Sequence, residues 1–447
     1  MAAPTTAFRF VHTADLHLDS PLKSLALRDA ELAERIDGAT RTALRRTVDL
    51  CIEERVDALL IAGDLYDGDQ KSMHTAAALT AEMRRLGDAG IPVFLIRGNH
   101  DAESRVTKEL MLPENVHAFD GRGGVRELAD GAVAIHGVSF LGRSAPDSLL
   151  PKLKPPRPDA LNIGLLHTSL SGGEGRHATY APCTLGELLD HGYQYWALGH
   201  VHKRQVHSGW PAVVMPGNPQ GRDIGEDGPR SVSLVTLDAD GAHVEERDVS
   251  SARFERVEVE LGTGCDWAAV PDVLERTLRE ARSGCASESL ITRLELVAPG
   301  SLGWRLTRDA DYLLGTAREL AAGLDGVWVE KLSTRTATDE ANDADGDESD
   351  AAGGGDVLPG IAALIEREVL DSGTLIERLE RDASALVRKL PPEVRDLLGE
   401  DEQGRRARLR ELAREGSERV LARLAEGGRD ADDSTGAGDG ARAGGRG

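Results

Sequence analysis

Short apolar runs alternate with amphipathic stretches along the first half of the chain. Residues 8–13, 59–61 and 91–96 are apolar enough to form buried strands. Between the first two runs, Leu44 and Val48 belong to an apolar stripe with helical spacing. The runs lie far enough apart for a crossover helix between parallel strands. The polar residues that follow each strand would therefore meet at one edge of a sheet.

Beyond Val116 the apolar runs become shorter, and glycine and proline separate them. Residues 161–166, 195–198 and 231–237 fit further short strands, the last of which closes the domain. We therefore predict an α/β fold in which residues 1–250 form a two-sheet α/β sandwich.

The second half of the chain has several different patterns. Residues 251–334 alternate strand and helix signals in the order β-α-β-α-β, which predicts an α+β cap domain. Residues 335–356 are rich in acids and are expected to form a disordered linker, because they cannot bury apolar surface. Residues 357–426 are expected to form a helical module, either a partner-binding one or a self-contained hairpin. Residues 427–447 are rich in Gly, Ala and Asp and are expected to be a disordered tail.

Side chains that can bind metal ions follow the predicted strands. They are Asp15, His17, Asp64, Asn99, His167, His200 and His202. Alternate residues at a strand end point the same way, so Asp-x-His and His-x-His pairs can hold one ion. Oxygen and imidazole ligands without cysteine suit Mn²⁺, Fe²⁺ or Zn²⁺. Because the set exceeds the needs of one ion, we predict two divalent ions about 3.5–4 Å apart that share a carboxylate, as in phosphoester hydrolysis.

The residues around Asn99 complete the predicted chemistry. Asn99 would bind an ion through its carbonyl without adding negative charge. His100 could protonate a leaving oxygen or stabilise its developing charge, and Asp101 could orient the imidazole. Other histidines, including His12 and His136, are expected to be surface or hydrogen-bonded core residues.

Composition narrows the range of partners. The 447 residues include 53 Lys+Arg against 76 Asp+Glu, so nonspecific adhesion to nucleic acid or membrane is not expected. Lys203, Arg204 and Arg222 follow the metal motifs and are candidates for phosphate contacts, with a solvated loop as the equal alternative. The four cysteines lie far apart, which argues against a disulfide framework. No apolar signal segment or membrane-length run is present, which predicts a cytoplasmic protein without a membrane contact.

Five strings, in order, resemble the motifs of the calcineurin-like metallophosphoesterase superfamily. They are Asp15-Leu-His17, Gly63-Asp64-Leu-Tyr-Asp67, Gly98-Asn99-His100-Asp101, His167 and Gly199-His200-Val-His202. Residues 12–21 and 216–222 resemble more narrowly the SbcD/YhaO-type DNA repair exonucleases. The resemblance covers roughly residues 8–335 and, more loosely, the helical segment beyond them.

The resemblance implies a ligand set and partners. One ion would be held by Asp15, His17, Asp64 and His202, and the other by Asp64, Asn99, His167 and His200. Asp64 would then be the bridging carboxylate, His100 the catalytic histidine and Mn²⁺ the favoured metal. The resemblance further implies a homodimer that acts on DNA with an SMC-like coiled-coil ATPase, bound through the C-terminal helices.

Three functions are compatible with these residues. The leading hypothesis is a metal-dependent DNA exonuclease, 3′–5′ with some endonuclease action, in DNA repair. The second is a phosphatase or cyclic-nucleotide phosphodiesterase with a small substrate, which the acidic net charge favours. The third is a non-catalytic assembly subunit, which the retention of the whole ligand set argues against.

Overall fold

The computed structural model describes most of the chain. The described residues are 7–20, 32–33, 36, 38–66, 73–102, 112–142, 145–171, 180–262, 264–337, 357–370, 374–387 and 402–435. They fall into two compact units, one drawn from 1–256, 281–292 and 326–330 and the other from 257–280, 293–325 and 331–447. Most of the predicted acidic linker (residues 338–356) and the end of the predicted tail (residues 436–447) lie outside the described residues.

A six-stranded mixed sheet forms one half of the first unit. Its strands are β1 (Phe8–Thr13), β2 (Ala58–Ala62), β3 (Val93–Ile96), β4 (Val116–Ala118), β13 (Ser231–Leu237) and β14 (Ala242–Asp248). The order is β14-β13-β1-β2-β3-β4, in which β1 to β4 are parallel and β13 and β14 are antiparallel to their neighbours. The crossovers from β1 to β2 and from β2 to β3 contain α1 (Ala39–Glu53) and α2 (Met73–Asp88).

A second six-stranded sheet forms the other half. Its strands are β5 (Gly124–Leu128), β6 (Val133–Gly137), β7 (Leu161–His167), β10 (Tyr195–Gly199), β11 (Gln205–His207) and β12 (Ala212–Met215). The order is β11-β12-β10-β7-β6-β5, with the four central strands parallel. A two-stranded ribbon, β8 (Leu170–Ser171) and β9 (Cys183–Thr184), precedes α3 (Leu185–Asp190).

The two sheets pack face to face through apolar side chains. Phe10 and Leu60 of the first sheet share a buried cluster with Ile163 of the second. Leu59 and Ile61, which flank Leu60 in β2, point to the opposite face of the sheet and pack with the apolar faces of α1 and α2. Because β2 is buried on both faces, its run contains only apolar residues, as is typical of a central parallel strand. This arrangement confirms the predicted two-sheet sandwich.

A three-stranded sheet follows, and its strands are connected by three helices where the sequence predicts two. Its strands, in order, are β15 (Ala252–Glu260), β16 (Ser289–Pro299) and β17 (Val327–Ala337), and its helices are α4 (Val270–Ser283), α5 (Gly300–Arg308) and α6 (Ala310–Ala322). The order matches the prediction except for α5. The Pro299-Gly300 pair signals a turn, but a proline is also compatible with a helix start, where its missing N–H is not needed.

The C-terminal segment is helical, as predicted. Its helices are α7 (Val357–Ile365), which continues as a π-helical turn over Glu366–Leu370, α8 (Thr374–Val387) and α9 (Glu402–Thr435). Within the second unit, Leu421 of α9 and Ile361 of α7 pack around the buried Trp304 of α5. Helix α9 runs past residue 426 into the segment expected to be tail. Among the described helices, none combines the length and apolar composition needed to cross a membrane.

Candidate metal centre

The strands that carry the predicted ligands end level with one another. In the first sheet, Thr13 lies opposite Ile61, and Ile61 lies opposite Leu95. In the second sheet, Gly199 lies opposite His167. The loops that follow β1, β2, β3, β7 and β10 therefore begin at the carboxyl ends of aligned parallel strands, the usual place for a functional site in such sheets.

Several predicted ligands lie in left-handed backbone. The φ angle is 53° at Asp15, 41° at His17, 53° at Asp64 and 108° at His200. Such angles are uncommon outside glycine and cost on the order of 1–3 kcal/mol each. Hydrogen bonds between the loops hold them: the N–H of Asp15 donates to Gly63 O at 3.0 Å, and that of His17 to Asp64 O at 3.1 Å. Backbone strain of this kind concentrates at functional sites.

Glycine precedes two of the ligand motifs for a steric reason. A Cβ on Gly98 would overlap Asp64 Oδ1, and a Cβ on Gly63 would lie 2.6 Å from His167 Nδ1. Gly63 also has a φ of 97°. The loops after β2, β3 and β7 can therefore approach one another only because these two residues have no side chain.

Asp15, His17 and His202 form the first group of candidate ligands. Each residue offers one donor atom, and the three atoms lie within 4.8 Å of one another. The Nε2 atoms of His17 and His202 are 3.1 Å apart. Two imidazole nitrogens facing each other at this distance are well placed to share one ion.

Asp15, Asp64 and His167 form the second group, again with donor atoms within 4.8 Å of one another. His167 Nε2 lies 3.3 Å from Asp64 Oδ2 and 3.0 Å from Asn99 Oδ1. Its Nδ1 lies 2.9 Å from the carbonyl oxygen of Ala62 and so carries the hydrogen of this bond. When the ring is neutral, this hydrogen on Nδ1 leaves the lone pair of Nε2 directed towards the centre.

Asp15 is common to both groups, whereas Asp64 is in the second only. The role of Asp64 as the bridging carboxylate stays a prediction, and Asp15 is a further carboxylate close to both groups. His200 joins them through its backbone, since its N–H donates to Asp15 Oδ1 at 3.1 Å and to Oδ2 at 3.0 Å. The ring of His200 lies 5.2 Å from that of His167.

The electrostatics of this cluster favour positive charge. Burial disfavours a charged His167, yet the carboxylates of Asp64 and Asp15 outweigh burial and raise the pKa of His167 to about 9. Burial likewise opposes ionisation of Asp64, but the neighbouring His167 holds the pKa of that carboxyl below its usual value. Carboxylate, amide and imidazole acceptors that converge in a buried space fit divalent cations of the Mn²⁺, Fe²⁺ or Zn²⁺ type.

His100 lies beside the candidate ligands and borders the open space above them. Its backbone N–H donates to Asp64 Oδ1 at 3.0 Å, and its ring lies 5.1 Å from the ring of His17. A group in this position can reach a phosphate oxygen without being needed as a ligand.

Asp101 connects the loops after β2 and β3. Its Oδ1 accepts hydrogen bonds from the N–H groups of Leu65 at 2.9 Å and Tyr66 at 3.2 Å, and its Oδ2 accepts one from Gly98 at 3.0 Å. Burial and the nearby charge of Asp64 nevertheless raise the pKa of Asp101 to about 7. Its observed role is to fix the loop backbone, and the orientation of His100 by Asp101 stays a prediction.

A cavity of about 1080 Å³ opens over the cluster. It is lined by Asp64, Asn99, His100, His200 and His202, by the bases Lys203, Arg204, Arg222 and Arg230, and by the acids Asp223, Glu226, Asp227 and Glu246. Arg204 donates to Ser233 Oγ at 2.8 Å and lies 3.6 Å from Glu246. Lys203 is exposed. The three candidate phosphate contacts, Lys203, Arg204 and Arg222, therefore border the cavity, but acidic side chains line it as well.

Sequence reasoning missed one residue of this site, Glu226. Its Oε1 lies 2.7 Å from His202 Nδ1 and 2.6 Å from Arg222 Nη2. Burial opposes its ionisation, but the bonds to His202 and Arg222 outweigh burial and keep the pKa of Glu226 below its usual value. The available signal was an acid four residues after Arg222, which is too common a spacing to indicate a site.

Comparison with protein families is consistent with this geometry. Residues 8–204 match the family described as calcineurin-like phosphoesterase, and residues 254–337 match the middle domain of metallophosphoesterase YhaO. The first match contains every predicted metal ligand.

Individual relatives give the same picture. The chain is 32% identical over 343 residues to metallophosphoesterase YhaO of Bacillus subtilis (strain 168). The aligned region covers 75% of this chain and 84% of YhaO. It is 26% identical over 226 residues to the DNA double-strand break repair protein Mre11 of Sulfurisphaera tokodaii, covering 47% of this chain and 54% of that protein. It is 29% identical over 296 residues to Mre11 of Aeropyrum pernix, covering 62% and 69% respectively. The chain therefore belongs to the calcineurin-like metallophosphoesterases of the YhaO type, which are metal-dependent phosphoesterases.

Proposed function

We propose that this protein is a DNA exonuclease that digests 3′–5′, with some endonuclease action, in DNA repair. The observation that carries the proposal is the convergence of buried carboxylate, amide and imidazole groups beneath a cavity bordered by His100 and basic side chains. The Mre11 relatives are named as DNA double-strand break repair proteins, which supports DNA as the substrate.

The residues that would hold two divalent ions are Asp15, His17, Asp64, Asn99, His167, His200 and His202. When bound, such ions neutralise phosphate oxygens and lower the pKa of a water molecule that attacks phosphorus. We propose Mn²⁺ as the native metal, because the carboxylate and amide oxygens of Asp15, Asp64 and Asn99 suit Mn²⁺, although the imidazoles would also accept Fe²⁺ or Zn²⁺.

The chain itself supplies the remaining chemistry. His100 borders the cavity and is placed to give a proton to the oxygen that leaves phosphorus. Its backbone N–H is fixed by Asp64, so its position depends on the same carboxylate that binds metal. Lys203, which is exposed at the rim, would attract the phosphates that flank the scissile bond.

A direct test uses purified protein, Mn²⁺ and duplex DNA labelled at either end. We expect stepwise shortening from 3′ ends, and its loss in Asp64→Ala. Asp57→Ala is a matched control, because Asp57 lies at the opposite end of β2, where it accepts a hydrogen bond from the N–H of Arg9. Full activity of Asp64→Ala, or no cleavage by the wild-type protein, would contradict the proposal.

A small-molecule phosphodiesterase or phosphatase is the second candidate. Asp223, Asp227 and Glu246 line the cavity and would repel a long polyanion more than a small one. Hydrolysis of cyclic nucleotides or aryl phosphates far faster than that of DNA, in the same Mn²⁺ buffer, would favour this candidate over the exonuclease.

The helical segment supports the proposal of an ATPase partner. Val420 and Leu424 are 51% and 45% exposed and lie one turn apart on α9. We propose that this apolar strip docks an SMC-like coiled-coil ATPase and that the complex contains a homodimer of this chain. Val420→Asp with Leu424→Asp should abolish co-purification with such an ATPase while the isolated chain keeps its nuclease activity. Unchanged co-purification would exclude this apolar strip as the docking site for the ATPase.

A further inference from the structure

His202 uses its two ring nitrogens in different directions. Its Nε2 faces His17 Nε2 at 3.1 Å, within the first group of candidate ligands. Its Nδ1 faces away from that group and lies 2.7 Å from Glu226 Oε1 and 3.1 Å from Arg222 Nη2. The hydrogen-bond partners of Nδ1 therefore decide which nitrogen has a free lone pair.

The two partners of Nδ1 require opposite tautomers. A neutral ring with its hydrogen on Nδ1 donates to the Glu226 carboxylate, whereas a lone pair on Nδ1 would accept from Arg222 and would face the carboxylate oxygen at 2.7 Å. The second arrangement opposes two lone pairs at the shorter distance. The hydrogen consequently lies on Nδ1, and Nε2 keeps its lone pair for an ion.

Glu226 is held firmly in place. Its Oε2 accepts hydrogen bonds from Asn218 Nδ2 at 2.8 Å and from the backbone N–H of Arg222 at 2.8 Å, and its Oε1 accepts one from Arg222 Nη2 at 2.6 Å. Asn218 is in turn fixed by Arg230, whose Nη1 donates to Asn218 Oδ1 at 2.8 Å. The carboxylate therefore has a single well-supported orientation towards His202.

The backbone around His202 is tied to the same network. Arg230 Nη1 also donates to the carbonyl oxygen of His202 at 2.6 Å, and the N–H of Asn218 donates to this oxygen at 3.3 Å. Gly217 permits the approach, since a Cβ there would lie 2.6 Å from His202 O. One cluster thus fixes both the main chain and the ring of His202.

We propose that Glu226, clamped by Arg222 and Asn218, is a positioning residue that holds His202 in its metal-binding tautomer and orientation. This inference rests on the proposed two-metal function and assigns a role to residues beyond the ligand set. Arg222, which the sequence leaves as either a phosphate contact or a solvated loop residue, serves the site through Glu226. Carboxylates that accept from a metal-bound histidine in this way typically contribute about 10- to 100-fold in metal affinity.

The test is Mn²⁺ titration, by calorimetry, of the full chain stripped with chelator. Glu226→Ala should weaken one of the two binding events by about 10- to 100-fold and leave the other unchanged. Glu226→Gln, which retains size but lacks charge, should have an intermediate effect. Glu246→Gln is the matched control: it removes an acid that lines the same cavity but bonds to Ser231 and pairs with Arg204, and it should leave both events unchanged.

The outcomes separate this inference from the proposed function. No Mn²⁺ binding by the wild-type chain would remove the two-metal function itself. Wild-type binding that persists unchanged in Glu226→Ala, or that falls equally in Glu246→Gln, would overturn the role of Glu226 alone.

A second measurement reads the tautomer in the wild-type chain itself, and a variant serves only to assign the signal. In the metal-free wild-type chain, ¹H–¹⁵N correlation of the histidine rings should show the hydrogen of His202 on Nδ1, with His202→Gln used to assign the signal. A hydrogen found only on Nε2 would overturn the inference.

Discussion

The protein buries histidines in two settings that differ in position along the strand. His12 lies within β1 and His136 within β6, and both are fully buried. His12 faces the hydroxyl of Tyr195 at 3.1 Å, and His136 faces the amide oxygen of Asn162 at 2.9 Å. His167, equally buried, lies at the last position of β7.

The groups that neighbour each histidine determine how its pKa differs between these two settings. Burial lowers the pKa of His12 to about 3 and that of His136 to about 4, because neutral partners do not compensate a buried positive charge. At the strand end, two carboxylates outweigh burial and raise the pKa of His167 to about 9. A histidine buried within a strand is thus a structural residue. One buried at a strand end beside carboxylates is a candidate metal ligand.

The same substitution in both settings should have very different effects on activity. His167→Gln removes a proposed metal ligand, and the loss of several kcal/mol of transition-state stabilisation should slow cleavage about a thousandfold or more. His136→Gln retains a side chain that can bond to Asn162, and His136 is not a proposed ligand. The activity of the folded protein should therefore stay within about threefold, a change in activation free energy of less than about 1 kcal/mol. Steady-state cleavage of DNA in Mn²⁺ compares them, and equal losses would contradict the distinction.

His100 should separate catalysis from metal binding. His100→Ala removes the proposed proton donor and should reduce the cleavage rate by about 100-fold or more, the usual range for general acid catalysis. Because His100 is not assigned as a ligand, Mn²⁺ stoichiometry should not change. Loss of bound metal in this variant would instead make His100 a ligand and remove the assignment of its role.

The strand-interior histidines should make the protein less stable in acid. Below pH 6.5 the unfolded chain binds a proton at His12, whereas the folded chain does not until about pH 3. Stability therefore falls as the pH falls through this window, by roughly 1.5 kcal/mol for His12 between pH 6.5 and 5. Urea unfolding of wild type and His12→Gln at both pH values isolates this contribution. Identical pH dependence in the two proteins would show that His12 is not held neutral.

Lys203 should have the smallest effect. If it contacts phosphate, Lys203→Ala should weaken DNA binding for all sequences and reduce the slope of log affinity against log salt by about 1. Lys152→Ala is the matched control, because Lys152 is exposed but does not line the cavity. An unchanged slope would remove Lys203 from the DNA-binding surface.

The sequence predicts the parts of this site that depend on strand ends. Alternation and run length locate β1, β2 and β3, and the residues that follow parallel strands of one sheet must meet, so Asp15, Asp64 and Asn99 could be placed together before any distance was known. His167 ends a strand of the other sheet, and only the family resemblance implied that it shares an ion with Asp64. Glu226 could not be found in this way. It lies in a short 3-10 turn, Ile224–Glu226, and reaches His202 only through the folding of the loop that begins at Gly217.

Other differences also arise from tertiary contacts. Arg204 and Arg222 follow the metal motifs, but Arg204 pairs with Glu246 of a distant segment, and Arg222 pairs with Glu226 only because of how the turn between them folds. Helix α5 was missed because Pro299-Gly300 resembles a turn, and its burial of Trp304 against α9 has no local signal. Local pattern indicates elements, whereas pairing between distant loops decides which polar residues face the cavity.

The central claim is that the strand ends of both sheets form one two-metal centre, and Mn²⁺ stoichiometry tests it most directly. Chelator-stripped wild type and His136→Gln should each bind two ions per chain, whereas His167→Gln should bind fewer. A wild-type chain that binds no Mn²⁺, or a His167→Gln variant with unchanged stoichiometry and affinity, would contradict the account.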